Sequence, residues 1–127
     1  MADKPIYEEW MEKAENDLIT AEILIKEDGP TDTLCFHCQQ AVEKYLKAFL
    51  TYKKVEFKKI HDLNVLGKLA GKFDSGFLSF KKEYKILNAY YIESRYPPDV
   101  ILYTHDEAQK TFNISKVIID SVKSKIK

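Results

Sequence analysis

The stretch Cys35-Phe36-His37-Cys38-Gln39-Gln40-Ala41-Val42-Glu43-Lys44-Tyr45-Leu46-Lys47-Ala48-Phe49-Leu50 decides the fold. With Leu34 before it, Cys38, Ala41, Tyr45 and Ala48/Phe49 recur at steps of three and four, the spacing of one helix face. Cys35, Val42 and Phe49 form an adjacent row, so the apolar arc is wide and predicts a central helix with several neighbours. Gln39, Gln40, Glu43, Lys44 and Lys47 are left for the polar side, with Glu43 and Lys47 at a supportive spacing of four. That side reads either as solvated surface or as the polar rim of a cleft between helices.

The same period extends in both directions. Upstream, Trp10, Ala14, Leu18, Ala21 and Leu24/Ile25 make one stripe, with Glu8, Glu12, Glu15 and Glu22 opposite. Asp28-Gly29-Pro30 stops that helix, with glycine able to cap it, and Thr31, Asp32 or Thr33 can cap the next. Downstream, Val55 to Ile60 is a basic connector, and His61-Asp62-Leu63 opens a short helix carrying Leu63, Leu66, Leu69 and Ala70. After a break from Gly71 to Gly76, the row Phe77, Phe80, Tyr84, Leu87, Tyr91 predicts a fourth long helix. It ends at Ser94-Arg95-Tyr96, because Pro97-Pro98 cannot continue it. Thr104 with Glu107 is a capping-box signature. It opens a last helix whose seam is Ala108, Phe112, Ser115, Ile119, Val122 and Ile126. Stripes of this kind must cover one another. The expectation is an all-α, up-and-down bundle of four long helices plus one short helix, forming a single domain over residues 1–127.

Composition narrows the function classes. Twenty basic residues balance twenty acidic ones, so no bulk positive field is available for general nucleic-acid binding. Any RNA contact must be local. Tyr52 and Phe57, interleaved with Lys53, Lys54, Lys58 and Lys59, are one candidate, set against the commoner fate of such a run as a solvated loop. Cys35 and Cys38 lie too close on a helix for a useful disulfide and read as reduced core residues. With His37 pointing elsewhere and no second ligand pair, no metal site is expected. No targeting segment or long apolar run stands out, which sets the expectation of a cytoplasmic protein without membrane attachment.

The string Gln39-Gln40-Ala41-x-Glu43-Lys44-x-Leu46-Lys47-Ala48 resembles the most recognisable helix of the HEPN family. Ala14-x-x-Asp17-Leu18-x-x-Ala21, His61-Asp62-Leu63 and Ser94-Arg95-Tyr96-Pro97 resemble it too, in the same order along the chain. The resemblance implies a helical bundle that usually dimerises and is often encoded beside a minimal nucleotidyltransferase, as toxin and antitoxin or as two subunits of one activity. Many members are metal-independent ribonucleases with an Arg and a His in the dimer cleft; others are proposed to bind nucleotides.

Arg95 and His105 are the catalytic candidates on that resemblance. A guanidinium suits a phosphate that gains charge, and an imidazole suits proton transfer near neutral pH. The sequence departs from the pattern, because nine residues, Tyr96 to Thr104, separate the pair where the motif uses a shorter spacer. Glu107 also stands where some branches carry a tyrosine that the partner adenylylates. The structural alternative has Arg95 bonding backbone carbonyls or Asp99, and His105 on the surface of the first turn of the last helix. Arg95 is the only arginine beside 19 lysines, which points to a planar, multi-donor contact. Tyr90, Tyr91, Tyr96 and Tyr103 surround the proline turn and suggest a groove or a homodimer face along the fourth helix. The candidate ligand-binding set is Gln40, Glu43, Lys44, Tyr91, Arg95, Tyr96 and Asp99.

Three functions stand side by side at this point. The chain is a helical partner of a minimal nucleotidyltransferase, with a nucleotide as ligand and no other cofactor. Or it is a ribonuclease toxin using Arg95 and His105. Or it is a non-catalytic protein-interaction bundle.

Overall fold

A computed structural model describes residues 4–91 and 103–127 of the chain. In order, it contains α1 (Ile6–Lys26), α2 (Thr31–Tyr52), α3 (Leu63–Gly71), a 3₁₀ segment (Ser75–Phe80), α4 (Lys81–Asn88) and α5 (His105–Lys125). No strand occurs among the described residues, and the fold is an all-α bundle. The central position of α2 follows from its wide apolar arc. It packs most extensively on α1, then on α5 and α3, and also touches α4. Leu34, Cys35, Cys38, Ala41, Val42, Tyr45, Leu46, Phe49 and Leu50 are all buried in one core with Ala14, Leu18, Leu66, Leu87, Ile119 and Val122.

α1 and α2 both end in Schellman motifs. At the end of α1, Gly29 N–H donates to Leu24 O at 2.8 Å, and Asp28 takes the left-handed φ of 55°. At the end of α2, Val55 N–H donates to Leu50 O at 2.9 Å, and Lys54 takes a φ of 59°. Asp28, not Gly29, therefore makes the left-handed turn. Gly29 lies close against α1: a Cβ there would sit 2.5 Å from Leu24 Cδ2, and that side-chain end would have to swing aside.

The expected caps of α2 are not used as caps. Pro30 occupies the N-cap position, where its fixed φ suits a helix start. The Thr31 hydroxyl instead donates to Tyr103 O at 2.7 Å, tying the start of α2 to the residue that precedes Thr104 and α5. Thr104 does cap α5, accepting from Glu107 N–H at 3.1 Å. Asp62 caps α3, accepting from Asn64 N–H at 2.9 Å.

The fourth apolar segment is bent where a single long helix was expected. Asp74 accepts from Gly76 N–H at 2.9 Å and starts the 3₁₀ segment, and α4 follows for only eight residues. The Tyr84 hydroxyl donates back to Phe77 O at 2.9 Å, holding the two pieces together. The Tyr84 ring lies so close to α3 that a Cβ on Gly67 would meet its Cε2 at 2.4 Å. Phe77, Tyr84 and Leu87 are buried as the stripe requires, but α4 ends at Asn88, so Tyr91 lies beyond it. The expected continuation to Ser94-Arg95-Tyr96, and the Pro97-Pro98 stop, lie outside the described residues.

Candidate functional site

Charged and polar side chains enter the bundle along one flank of α2. Gln39, Glu43 and Lys47 recur every four residues on that flank and are all buried, so the reading of this row as solvated surface is set aside. Lys47 Nζ lies 3.0 Å from Glu43 Oε2. Gln39 donates to Glu43 Oε1 at 3.1 Å, and Gln40 donates to Gln39 Oε1 at 2.7 Å. The connector after α2 supplies His61, whose Nδ1 is 3.2 Å from Glu43 Oε2.

Aromatic rings close over this network. Lys47 Nζ sits 5.5 Å from the Trp10 ring centre and 5.8 Å from that of Phe57, cation–π distances that suit a largely desolvated ammonium. The Trp10 and Phe57 rings pack at 6.1 Å. Tyr91 stacks on His61 at 4.6 Å. Asn88 accepts from Leu63 N–H at 2.9 Å and donates to Asp62 at 2.9 Å, which fixes the residues beside His61.

A second polar group straddles α1 and α2. Asp17 interrupts the apolar row Ala14, Leu18, Ala21 and is itself buried. Its carboxylate meets His37 Nδ1 at 2.8 Å and Lys44 Nζ at 2.6 Å. Elsewhere between the same two helices, the buried Tyr45 of α2 donates its hydroxyl to Glu15 of α1, and Lys123 Nζ of α5 lies 3.4 Å from the same carboxylate oxygen. Burial pushes the Glu15 carboxyl upward. The Tyr45 hydroxyl and Lys123 outweigh that and hold it below the ordinary carboxylate range. Burial, then Glu15, pushes the Tyr45 hydroxyl up.

The candidate residues therefore divide. Gln40, Glu43 and Tyr91 belong to one connected cluster, and Lys44 belongs to the separate Asp17 group. Glu43 is fully engaged by Lys47, His61 and Gln39, so a ligand reaching it must displace one of them. His105 lies elsewhere. It is the first residue of α5, with a half-exposed ring whose Nε2 is 3.7 Å from Asp28 Oδ1, at the α1–α2 turn. From Thr31, beside that turn, roughly 18 Å of helix leads to Glu43. Arg95, Tyr96 and Asp99 lie outside the described residues. Cys35 and Cys38 are buried free thiols. Burial, helped by Cys35 and opposed by Ser115, pushes the Cys38 thiol up to about 12. No group of three or more metal-ligating side chains occurs among the described residues, and no described helix is long and apolar enough to cross a membrane.

Sequence reasoning left Asp17 and His61 out of the candidate site, named Lys47 only as one of the polar row on α2, and weighed His37 only as a metal ligand. Asp17 left a legible sign, a carboxylate inside an otherwise apolar row. His61 showed only as the start of the short helix and of a family-like string; its pairing with Glu43 did not show, because eighteen residues separate them and only the chain reversal after α2 joins them.

Comparison with known proteins agrees with this architecture. The HEPN domain family matches residues 7–125. The structure resembles that of ST0689, an archaeal HEPN homologue, with 28% identity and a TM-score of 0.74 over 95% of this chain and 98% of the other. It also resembles TT1696 from Thermus thermophilus, with 26% identity and a TM-score of 0.80 over 96% and 99%. No curated protein matches. The family match spans nearly the whole chain, including the buried polar helix at its centre, and the chain belongs to the HEPN family.

Proposed function

We propose that this HEPN domain is the helical partner of a minimal nucleotidyltransferase, acting in the cytoplasm as one half of a toxin–antitoxin-like pair. The observation that carries this reading is the use made of its charged residues. Glu43 and Lys47 of α2 are spent inside the fold, while Ile19 and Ile23 of α1, one turn apart, stand about half exposed. Neighbouring apolar side chains held in water suit an interface with another chain. The reading includes a homodimer and a nucleotide held against the polar flank of α2. Co-expression with the adjacent reading frame is the test. Co-purification of a nucleotidyltransferase, lost in Ile19→Asp/Ile23→Asp, is expected; a chain that purifies alone from such co-expression overturns the reading.

One observation favours a second reading, a metal-independent ribonuclease. The His105 imidazole is 52% exposed at the start of α5, accessible to a substrate phosphate. This reading requires Arg95 and His105 to converge across a dimer. It predicts growth arrest on expression, relieved by Arg95→Ala or His105→Ala. Absence of both toxicity and RNA cleavage removes it.

A further inference from the structure

Asp17 holds two donors on one carboxylate, His37 Nδ1 on Oδ1 and Lys44 Nζ on Oδ2. The carboxylate is 11% exposed, whereas the His37 and Lys44 side chains are 26% and 24% exposed. A carboxylate only accepts, so Nδ1 donates and a neutral His37 presents its lone pair at Nε2. Nε2 makes no hydrogen bond to any described residue, and Lys44 spends one of its three N–H groups on Asp17. Neutralising Asp17 requires only Lys44. The imidazole is a second donor on an already paired carboxylate, oriented by it and open to water at its other nitrogen.

The trio also sits between the two helices that pack most extensively on each other. Asp17 projects from the buried row of α1, and His37 and Lys44 lie two turns apart on the central helix. With the ring protonated, one carboxylate faces two cations and the group carries a net charge of +1. A ligand that takes both remaining donors needs several strong acceptor oxygens and a negative charge, which describes a phosphate group. In the complex the protonated His37 ring donates from Nε2 to one phosphate oxygen. Lys44 donates to another, and no covalent bond changes.

We propose that Asp17, His37 and Lys44 form a site for a phosphate group, either free phosphate or a phosphomonoester such as that of a mononucleotide. The mononucleotide arm rests on the nucleotide part of the reading above; the inorganic arm stands without it.

The test follows the His37 ring nitrogens by NMR in the intact chain, near pH 6.5. Inorganic phosphate and AMP are titrated separately, with potassium chloride at matched ionic strength. A saturable shift at His37 Nε2 in either arm, reduced at least about tenfold in affinity in Lys44→Met, supports the site; tenfold corresponds to 1.4 kcal/mol. Tighter saturation by AMP assigns the mononucleotide, and equal or tighter saturation by phosphate assigns the free anion. A shift reproduced by chloride, no shift in either arm, or affinity unchanged in Lys44→Met overturns the proposal. Lys44 is partly exposed, and the amide spectrum of Lys44→Met verifies that the variant is folded. Loss of partner co-purification with phosphate binding intact would fault the partner reading alone.

Discussion

Lys47 and Glu43 lie one helical turn apart on α2, with Nζ 3.0 Å from Oε2 and side chains only 6% and 4% exposed. At the helix surface such a pair contributes a few tenths of a kcal/mol. In the interior the pair matters more: without Glu43 the Lys47 ammonium keeps only the Trp10 and Phe57 rings, and without Lys47 the buried Glu43 carboxylate loses its lysine partner and keeps Gln39 and His61.

Removing one partner is therefore far more harmful than removing both. Lys47→Ala should cost about 3–5 kcal/mol, a large share of the 5–15 kcal/mol that holds a typical domain together. The double change Glu43→Leu/Lys47→Met should recover most of that loss. Urea unfolding of the two variants measures the difference; a double variant as unstable as the single one would mean the cost lies in lost packing of the lysine stem against Trp10 and Phe57.

Two positions that look equivalent along their stripes should behave differently. Leu87 is fully buried in α4, whereas Phe112 of α5 is only partly buried against the core. Leu87→Lys should abolish cooperative unfolding. Phe112→Lys can lead its ammonium to water along its aliphatic stem and should keep a cooperative melt at lower temperature. Circular-dichroism melts distinguish the two outcomes.

Gly67→Ala should destabilise the chain by about 1–3 kcal/mol, the usual range for overpacking. The new methyl group meets the Tyr84 ring at 2.4 Å, and that ring is held by its bond to Phe77 O. Tyr84→Phe, which releases the hydroxyl but keeps the ring, should not rescue it. Denaturant midpoints of the single and double variants check this.

The Cys38 thiol predicts an alkaline limit. Its folded value, about 12, lies above the ordinary 9.0, so the folded state holds the proton more tightly than the unfolded chain. That contribution is complete below about pH 9 and is lost as the pH climbs toward 12. Stability of the native chain should fall over that window more steeply than that of Cys38→Ala. Near pH 8, a thiol reagent should modify the native chain only as fast as it unfolds.

Much of the fold was legible because helical periodicity is a local property. The Cys38/Ala41/Tyr45 row predicted a central α2, and Thr104 with Glu107 predicted the start of α5. Legibility failed where a neighbour changed the outcome. The Phe77-to-Tyr91 row is periodic throughout, yet the Asp74 cap and the Tyr84–Phe77 bond divide it into a 3₁₀ segment and a short helix. Thr31 looks like a cap and instead ties α2 to Tyr103. At the site, the polar letters of α2 were visible, but their burial was not. Whether Lys47 faces water or Trp10 depends on where α1 and the connector lie.

By itself the sequence determined the all-helical class and the order of the apolar stripes, since both are written in spacings of three and four residues along one helix, and it carried the family resemblance in the residue string from Gln39 to Ala48. Only the tertiary structure decided that Glu43 is shared by Lys47, Gln39 and His61, that Asp17 gathers His37 and Lys44, and that His105 stands apart beside Asp28. Those pairings join residues far apart in the chain. Their existence depends on how buried surfaces fit together, a property that no single helix carries.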